Sequence, residues 1–204
     1  GPALKAPLET AAVLKRVGIT VCGLANNHFF DFGKKGAEDT LAALSAAGIL
    51  TTGYGKNAED AKKPLIIEKD GERICLLAVC EHEYSYALSD RVGCRPFDPF
   101  RTPLDVRAAK EKCDRVVVLY HGGKEQCEYP SPRLYDACHA MAESGADLII
   151  IETMTDSYET KAALLAAKES CDLPVFVTNA YDETKKLMTG ADPLTMIALL
   201  EGMG

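Results

Sequence analysis

The chain has 204 residues, 47% of them apolar and 26% charged, and a formal net charge of −7. That length suits one large domain or two small ones, and that composition an ordinary globular protein. The charge argues against nucleic acid or an anionic membrane as partner, no apolar run is long enough to span a bilayer, and no signal peptide is recognised.

The leading Gly1-Pro2 looks like a protease-cleavage scar, so the original start is expected to be missing. Cysteines stand at 22, 75, 80, 94, 113, 127, 138 and 171, and no pair has the two-residue spacing of a zinc knuckle or redox motif. Cys22 and Cys75 fall in apolar strand-like runs. Free, buried thiols of a reducing cytoplasm are the expectation. Tryptophan, internal repeats and low-complexity stretches are absent.

In chain order, "GITVCGLA" (18–25) predicts a buried strand. "GKKGAEDTLAALSAAG" (33–48) predicts a helix with Ala37, Leu41, Leu44 and Ala47 on one face and Gly48 at its end. "PLIIEKDGERICLLAV" (64–79) predicts a hairpin turning at Asp70-Gly71. The stretch 80–103 is the least regular, a long functional loop or a flap. A short helix is expected over 103–113 and a buried strand over 114–120. Ser131 and Pro132 open a helix over 131–145. Strand 147–151, helix 157–171, strand 173–178 and helix 192–204 complete the chain. Strands and helices alternate and the strands are continuously apolar. The fold class is therefore α/β, a mostly parallel mixed sheet with helices on both faces, a layered sandwich.

Polar groups collect where strands end: Asn26-Asn27-His28 and Asp31, Glu81-His82-Glu83, His121-Gly122-Gly123, and Glu152. In open parallel sheets, ligands bind at the carboxyl ends of strands. Each group also has a plain reading. Asn27 could take a left-handed turn, and Asp31 could cap the next helix. Gly122-Gly123 could be a tight turn, and Glu81-His82-Glu83 a surface segment, the reading preferred for it. His139 lies within a helix among apolar neighbours and is read as structural. His28 and His121 directly follow buried strands, where imidazoles and amide oxygens could converge on a divalent cation or a phosphate.

"GLANNHFFDFGKKGAEDTLAALSAAGI", "TGYGKNAEDAKKP" and "VVVLYHGGKEQCEYPSPRLYDACHAMAESGADLII" resemble the CapA family of poly-γ-glutamate capsule synthesis proteins, over about residues 3 to 149. That family looks like a relative of calcineurin-like metallophosphoesterases, which implies an α/β/β/α sandwich and a divalent metal (Mn, Zn or Fe). The resemblance implies Asn27 and His121 as metal ligands and His28 as proton donor or phosphate contact; Asp31 and His82 are further accessory candidates. Such sites also use an early aspartate motif and a Gly-Asp motif, and the chain starts too late to hold either. Where they use Gly-His-x-His, this chain reads Glu152-Thr153-Met154-Thr155. The metal set is therefore expected to be incomplete. The capsule-protein parent is associated with the cell envelope, whereas this chain is expected in the cytoplasm.

Residues 145–204, with "IETMTDSYETKAALLAAKE", "LPVFVT" and "TGADPLTMIALLEGMG", resemble the homocysteine-binding barrel of cobalamin-dependent methionine synthase. That resemblance implies two βα units of TIM-barrel origin, with Glu152 as a homocysteine contact. The zinc-binding cysteines of that enzyme lie beyond the end of this chain, Cys171 is not among them, and the cobalamin and folate modules are absent.

The chain thus reads as an engineered or recombined hybrid. Its capsule-protein portion would be 1–146, its βα units 147–204, and its crossover would lie within 145–150, all in one packed globule. The first expectation is a folded protein without a complete active site, binding metal or phosphate weakly at Asn27, His28 and His121. The alternatives are a metal-dependent phosphoester hydrolase-like capsule biosynthesis protein, with Glu152 or His82 rebuilding the site, and a homocysteine S-methyltransferase fragment. A plain interaction module has no supporting signature. The C-terminal units either extend the sheet or form a half-barrel, and a homo-oligomer is expected to cover their apolar face.

Overall fold

Two-residue periodicity and helix-spaced apolar positions both find their elements in the computed structural model, which describes residues 3–81, 84–122, 131–154 and 156–203. The chain forms two units: Gly1–Asp98 with Leu119–Gly122, and Pro99–Val118 with Gly123–Gly204.

The first unit contains α1 (Thr10–Arg16), β1 (Val21–Gly23), α2 (Gly33–Ala46), β2 (Leu50–Thr52), β3 (Tyr54–Gly55), α3 (Ala58–Ala61), β4 (Leu65–Lys69), β5 (Glu72–Cys80) and β6 (Gly93–Cys94). β1 and β2 pair in parallel, Val21 opposite Leu50 and Gly23 opposite Thr52. The strand expected over 18–25 is thus only three residues long, and Val21 and Cys22 are half-buried rather than buried. The chain leaves the ladder early because Asn26 N–H turns back to the Leu24 carbonyl at 3.0 Å. On α2, Ala37 and Leu44 are buried and Leu41 and Ala47 pack against the cluster Ala11, Leu24, Leu44 and Ile49, the face its periodicity predicts.

β4 and β5 form the expected antiparallel hairpin, Leu65 opposite Leu76. Asp70 and Gly71 both have positive φ, 53° and 84°, the combination whose twist suits a two-residue hairpin turn. Cys75, Leu77, Ala78, Val79 and Cys80 are all buried, so the apolar run on β5 records cover on both faces. The irregular stretch after it includes β6, which pairs antiparallel with β3 through Tyr54–Cys94 and Gly55–Gly93.

The second unit contains α4 (Arg101–Lys110), α5 (Pro132–Glu143), β8 (Leu148–Met154), α6 (Ser157–Ser170), β9 (Val175–Asn179) and α7 (Pro193–Glu201). β7 (Arg115–His121) belongs to both units, dividing after Val118. Ser131 caps α5, its Oγ accepting Leu134 N–H at 3.2 Å, and Asp192 caps α7, its Oδ1 accepting Thr195 N–H at 2.8 Å. At the start of β8, Asp147 accepts Lys110 Nζ on both oxygens at 2.8 Å and Val116 N–H at 2.8 Å. His139 lies against Tyr135 with ring centroids 4.3 Å apart, in keeping with a packing role.

The largest sheet has the strand order β4-β5-β7-β8-β9. It is a mixed, mostly parallel α/β sheet flanked by helices. β8 and β9 pair in parallel, Ile149 opposite Val175, and β9 ends the order. No cysteine among the described residues is in a disulfide, and Cys127 lies outside them. No helix among the described residues is long and apolar enough to cross a membrane.

Candidate functional site

β1 delivers the chain into a turn that small and aromatic side chains hold in place. Phe29 packs against both apolar clusters of the first unit, its ring centroid 5.0 Å from that of Tyr54. Asn26 Oδ1 accepts His28 N–H at 2.9 Å, a local side-chain turn that fixes the direction of the next residues. The Asn26 carbonyl accepts Ser85 Oγ at 3.1 Å and the Cys94 thiol at 3.7 Å. A hydrogen bond with the neighbouring Cys80 thiol, helped by the Asn26 backbone and Ser85, holds the Cys94 thiol below the usual range, although burial pushes it up.

Within this turn, His28 Nδ1 and Asp31 Oδ2 are 2.7 Å apart. Asp31 also accepts Tyr84 Oη–H on Oδ1 at 2.6 Å and Leu4 N–H on Oδ2 at 2.7 Å. Its carboxyl is lowered to about 2, first by the Tyr84 hydrogen bond, then by Leu4 and His28. An ionised carboxylate only accepts, so the His28 nitrogen facing it, Nδ1, is the one that donates. Asp31 therefore does not cap α2. The cap position is Phe32, with no side-chain hydrogen bond.

The second contact crosses the unit's sequence. His121 Nε2 and Asn27 Oδ1 are 3.1 Å apart across a separation of 94 residues. Gly23 allows this approach: a β-carbon there would fall 3.0 Å from Leu119 Cδ2, two residues before His121. Asn27 is not among the described residues with positive φ, so it is not a left-handed turn residue.

The other expected residues divide. His82 lies outside the described residues, and Glu152 is on β8 with its side chain outside them. Glu81, expected at the surface, is buried at 5% exposure. It continues the buried run of β5, its N–H donating to the His121 carbonyl at 2.9 Å. Nothing in the sequence connects Tyr84 or Leu4 to Asp31. The signal that could have exposed Glu81 is the unbroken apolar run before it.

Asn27 and His121 present an amide oxygen and an imidazole nitrogen, donors that a divalent Mn, Zn or Fe accepts. They fit in kind. In number they fall short, since such ions take roughly four to six donors and no group of three or more His, Cys, Asp or Glu comes together among the described residues.

Residues 119–203 match the homocysteine S-methyltransferase family, which is less than half of the chain. Residues 1–152 match the bacterial capsule synthesis protein family PGA_cap, so the two matches overlap over 119–152. The chain is 33% identical over 153 residues to the capsule biosynthesis protein CapA of Bacillus anthracis, covering 72% of this chain and 37% of that protein. It is 33% identical over 145 residues to the PGA biosynthesis protein CapA of Bacillus subtilis strain 168, covering 70% and 38%. The chain thus spans a little over a third of the length of these curated relatives. A crystal structure of a Staphylococcus aureus protein, provisionally named a 5′-nucleotidase and solved in complex with α-ketoglutarate, superposes with a TM-score of 0.52 at 14% identity. That match covers 87% of this chain and 38% of the other, and bears on the fold alone. With most of its length inside the capsule-protein match, the chain belongs to the PGA_cap family of bacterial capsule synthesis proteins.

Proposed function

We propose that the chain is part of a poly-γ-glutamate capsule biosynthesis protein, and that Asn27, His28 and His121 are its share of a site for phosphoester or phosphate chemistry. The observation that carries this reading is the 3.1 Å approach of Asn27 Oδ1 to His121 Nε2, beside a His28 ring oriented by Asp31. Asn27 and His121 would hold a divalent metal, and a bound metal would supply water activation and charge stabilisation. His28 would hold or give a proton at Nε2, with Asp31 keeping Nδ1 occupied. His82 is the candidate to add to the donor set. With so few donors the chain alone is expected to bind metal weakly and to show no turnover.

Titration with manganese, followed by electron paramagnetic resonance, tests this. The whole chain is expected to bind with a dissociation constant of roughly 0.1–1 mM, the range of weak oxygen-rich sites. Asn27→Ala and His121→Ala should each weaken binding by about tenfold or more. Equal binding by the wild type and both variants would remove Asn27 and His121 from the site.

A second reading is favoured by the match over 119–203, namely homocysteine binding with Glu152 as contact. The overlap of the two matches over 119–152 supports a composite chain, engineered or recombined, with its join within 145–150. Calorimetry with homocysteine decides this reading, and an absence of heat at millimolar ligand would dismiss it. The exposed Phe176, Leu194 and Ile197 support the expected homo-oligomer, and light scattering should find more than a monomer.

A further inference from the structure

Tyr84 is a surface side chain, 61% exposed, yet the backbone from its carbonyl onward is fastened. Arg91 Nη2 donates to the Tyr84 carbonyl at 3.0 Å and to the Tyr86 carbonyl at 2.6 Å, and Arg91 Nε to the latter at 3.2 Å. The next residue, Ser85, is buried at 1% exposure. Its Oγ donates to the Asn26 carbonyl at 3.1 Å, and its own carbonyl accepts Cys94 N–H at 2.7 Å. An exposed tyrosine on a loose loop gives up conformational freedom to make a hydrogen bond, whereas an anchored one gives up less. The irregular stretch after β5 therefore presents a phenol at a fixed point above the turn that carries His28.

A carboxylate with one occupied oxygen can swing about its side-chain torsion. Asp31 has both occupied: Oδ1 by Tyr84 at 2.6 Å, Oδ2 by His28 at 2.7 Å and by Leu4 N–H at 2.7 Å. Among the described residues, Tyr84 and His28 are the titratable side chains hydrogen-bonded to it. We propose that Tyr84 is a positioning residue for His28, acting through Asp31. By donating to Oδ1 it turns Oδ2 toward His28 Nδ1 and leaves Nε2 as the nitrogen that meets a phosphoester or phosphate. The role rests on the reading of His28 given above.

The test is nuclear magnetic resonance on the whole chain, labelled at aspartate carboxyl carbons and histidine ring nitrogens, comparing wild type, Tyr84→Phe and Asp31→Asn. Asp31→Asn and His28→Ala supply the assignments. In the wild type Asp31 should titrate near 2, and in Tyr84→Phe its midpoint should rise toward 3.8. At pH 3 the ratio of ionised to protonated Asp31 should then fall several-fold from about ten. At neutral pH the preference of His28 for the Nδ1–H form should fall by about fivefold, the effect of one hydrogen bond of ordinary strength. An unmoved Asp31 midpoint overturns the proposal, and so does a moved midpoint with an unchanged His28 ring. If Tyr84→Phe does not fold, Arg91→Ala, which frees the loop, is read in the same two ways. Inorganic phosphate separates the proposal from the reading beneath it. If both signals shift in the variant but the His28 ring ignores phosphate, the site reading fails and the positioning role stands.

Discussion

Gly122 stands so close to Glu81 that a β-carbon at Gly122 would fall 2.7 Å from both the β-carbon and Oε2 of Glu81. The same atom would lie 2.9 Å from Tyr120 Cε1. The Glu81 β-carbon cannot swing away, because Glu81 N–H is tied to the His121 carbonyl. Gly122→Ala is therefore expected to cost about 1–3 kcal/mol, the usual effect of forcing a methyl group into a filled space. Urea denaturation should give a lower midpoint with an unchanged slope. A wild-type midpoint would mean that the two strand ends can part without cost.

Acid should weaken the fold partly through Asp31. Its carboxyl is held at about 2 instead of the ordinary 3.8, first by Tyr84, then by Leu4 and His28. A carboxyl acidified by folding favours the folded state fully above 3.8, and that contribution is lost as pH falls toward 2. Asp31→Asn should therefore flatten the decline of the urea midpoint across that window. Asp60, Asp182 and Asp192 are also lowered by hydrogen bonds and should leave the variant some slope. Identical pH profiles would show that Asp31 is as acidic unfolded as folded.

At the start of β8, removing Asp147 should matter more than removing Lys110. Asp147 serves the N–H of Val116, a residue with 0% exposure, as well as the lysine. Asp147→Ala strands that N–H and is expected to cost roughly 1–3 kcal/mol. Lys110→Ala removes a partly exposed ion pair and an exposed hydrogen bond to the Asp114 carbonyl, at about 0–1 kcal/mol. The order of the two melting temperatures checks this, and a reversal would assign the strength to the ion pair.

Thr160 is buried at 0% exposure. Its Oγ1 donates to the Asp156 carbonyl at 2.6 Å and accepts Asn179 Nδ2 at 3.1 Å, linking α6 to the end of β9. Thr160→Val keeps the shape and deletes the hydroxyl, leaving Asn179 short of a partner, at a cost of about 1–2 kcal/mol. Thr160→Ser should retain more of the stability than Thr160→Val. If Val is the milder change, the methyl group dominates the site.

The elements that the sequence made legible are those whose signal is local. Asp70-Gly71 announces a two-residue turn, Ser131-Pro132 a helix start, and Ala37 and Leu44 a buried helix face, and each is found where expected. What escaped depends on contacts between distant residues. β2, β3 and β6 are two or three residues long, too short for any periodicity. Glu81 reads as surface polarity until the burial of its neighbours is known. His28 and His121 were legible as polar residues at strand ends, and Asp31 as a polar residue of the same turn. The Tyr84 contact to Asp31, across 53 residues, has no counterpart in spacing.

The approach of Gly23 to Leu119 has an evolutionary consequence. A β-carbon at position 23 would sit 3.0 Å from the Leu119 side chain and 3.5 Å from Ala78. These three positions carry no chemistry, and they meet where the strand leading to Asn27 passes the strand leading to His121. Among relatives of this chain they are expected to vary as a set, with a larger residue at 23 accompanied by a smaller one at 119 or none beyond alanine at 78. An alignment of capsule proteins in which the three sizes vary independently would show that the strands keep their distance by some other means.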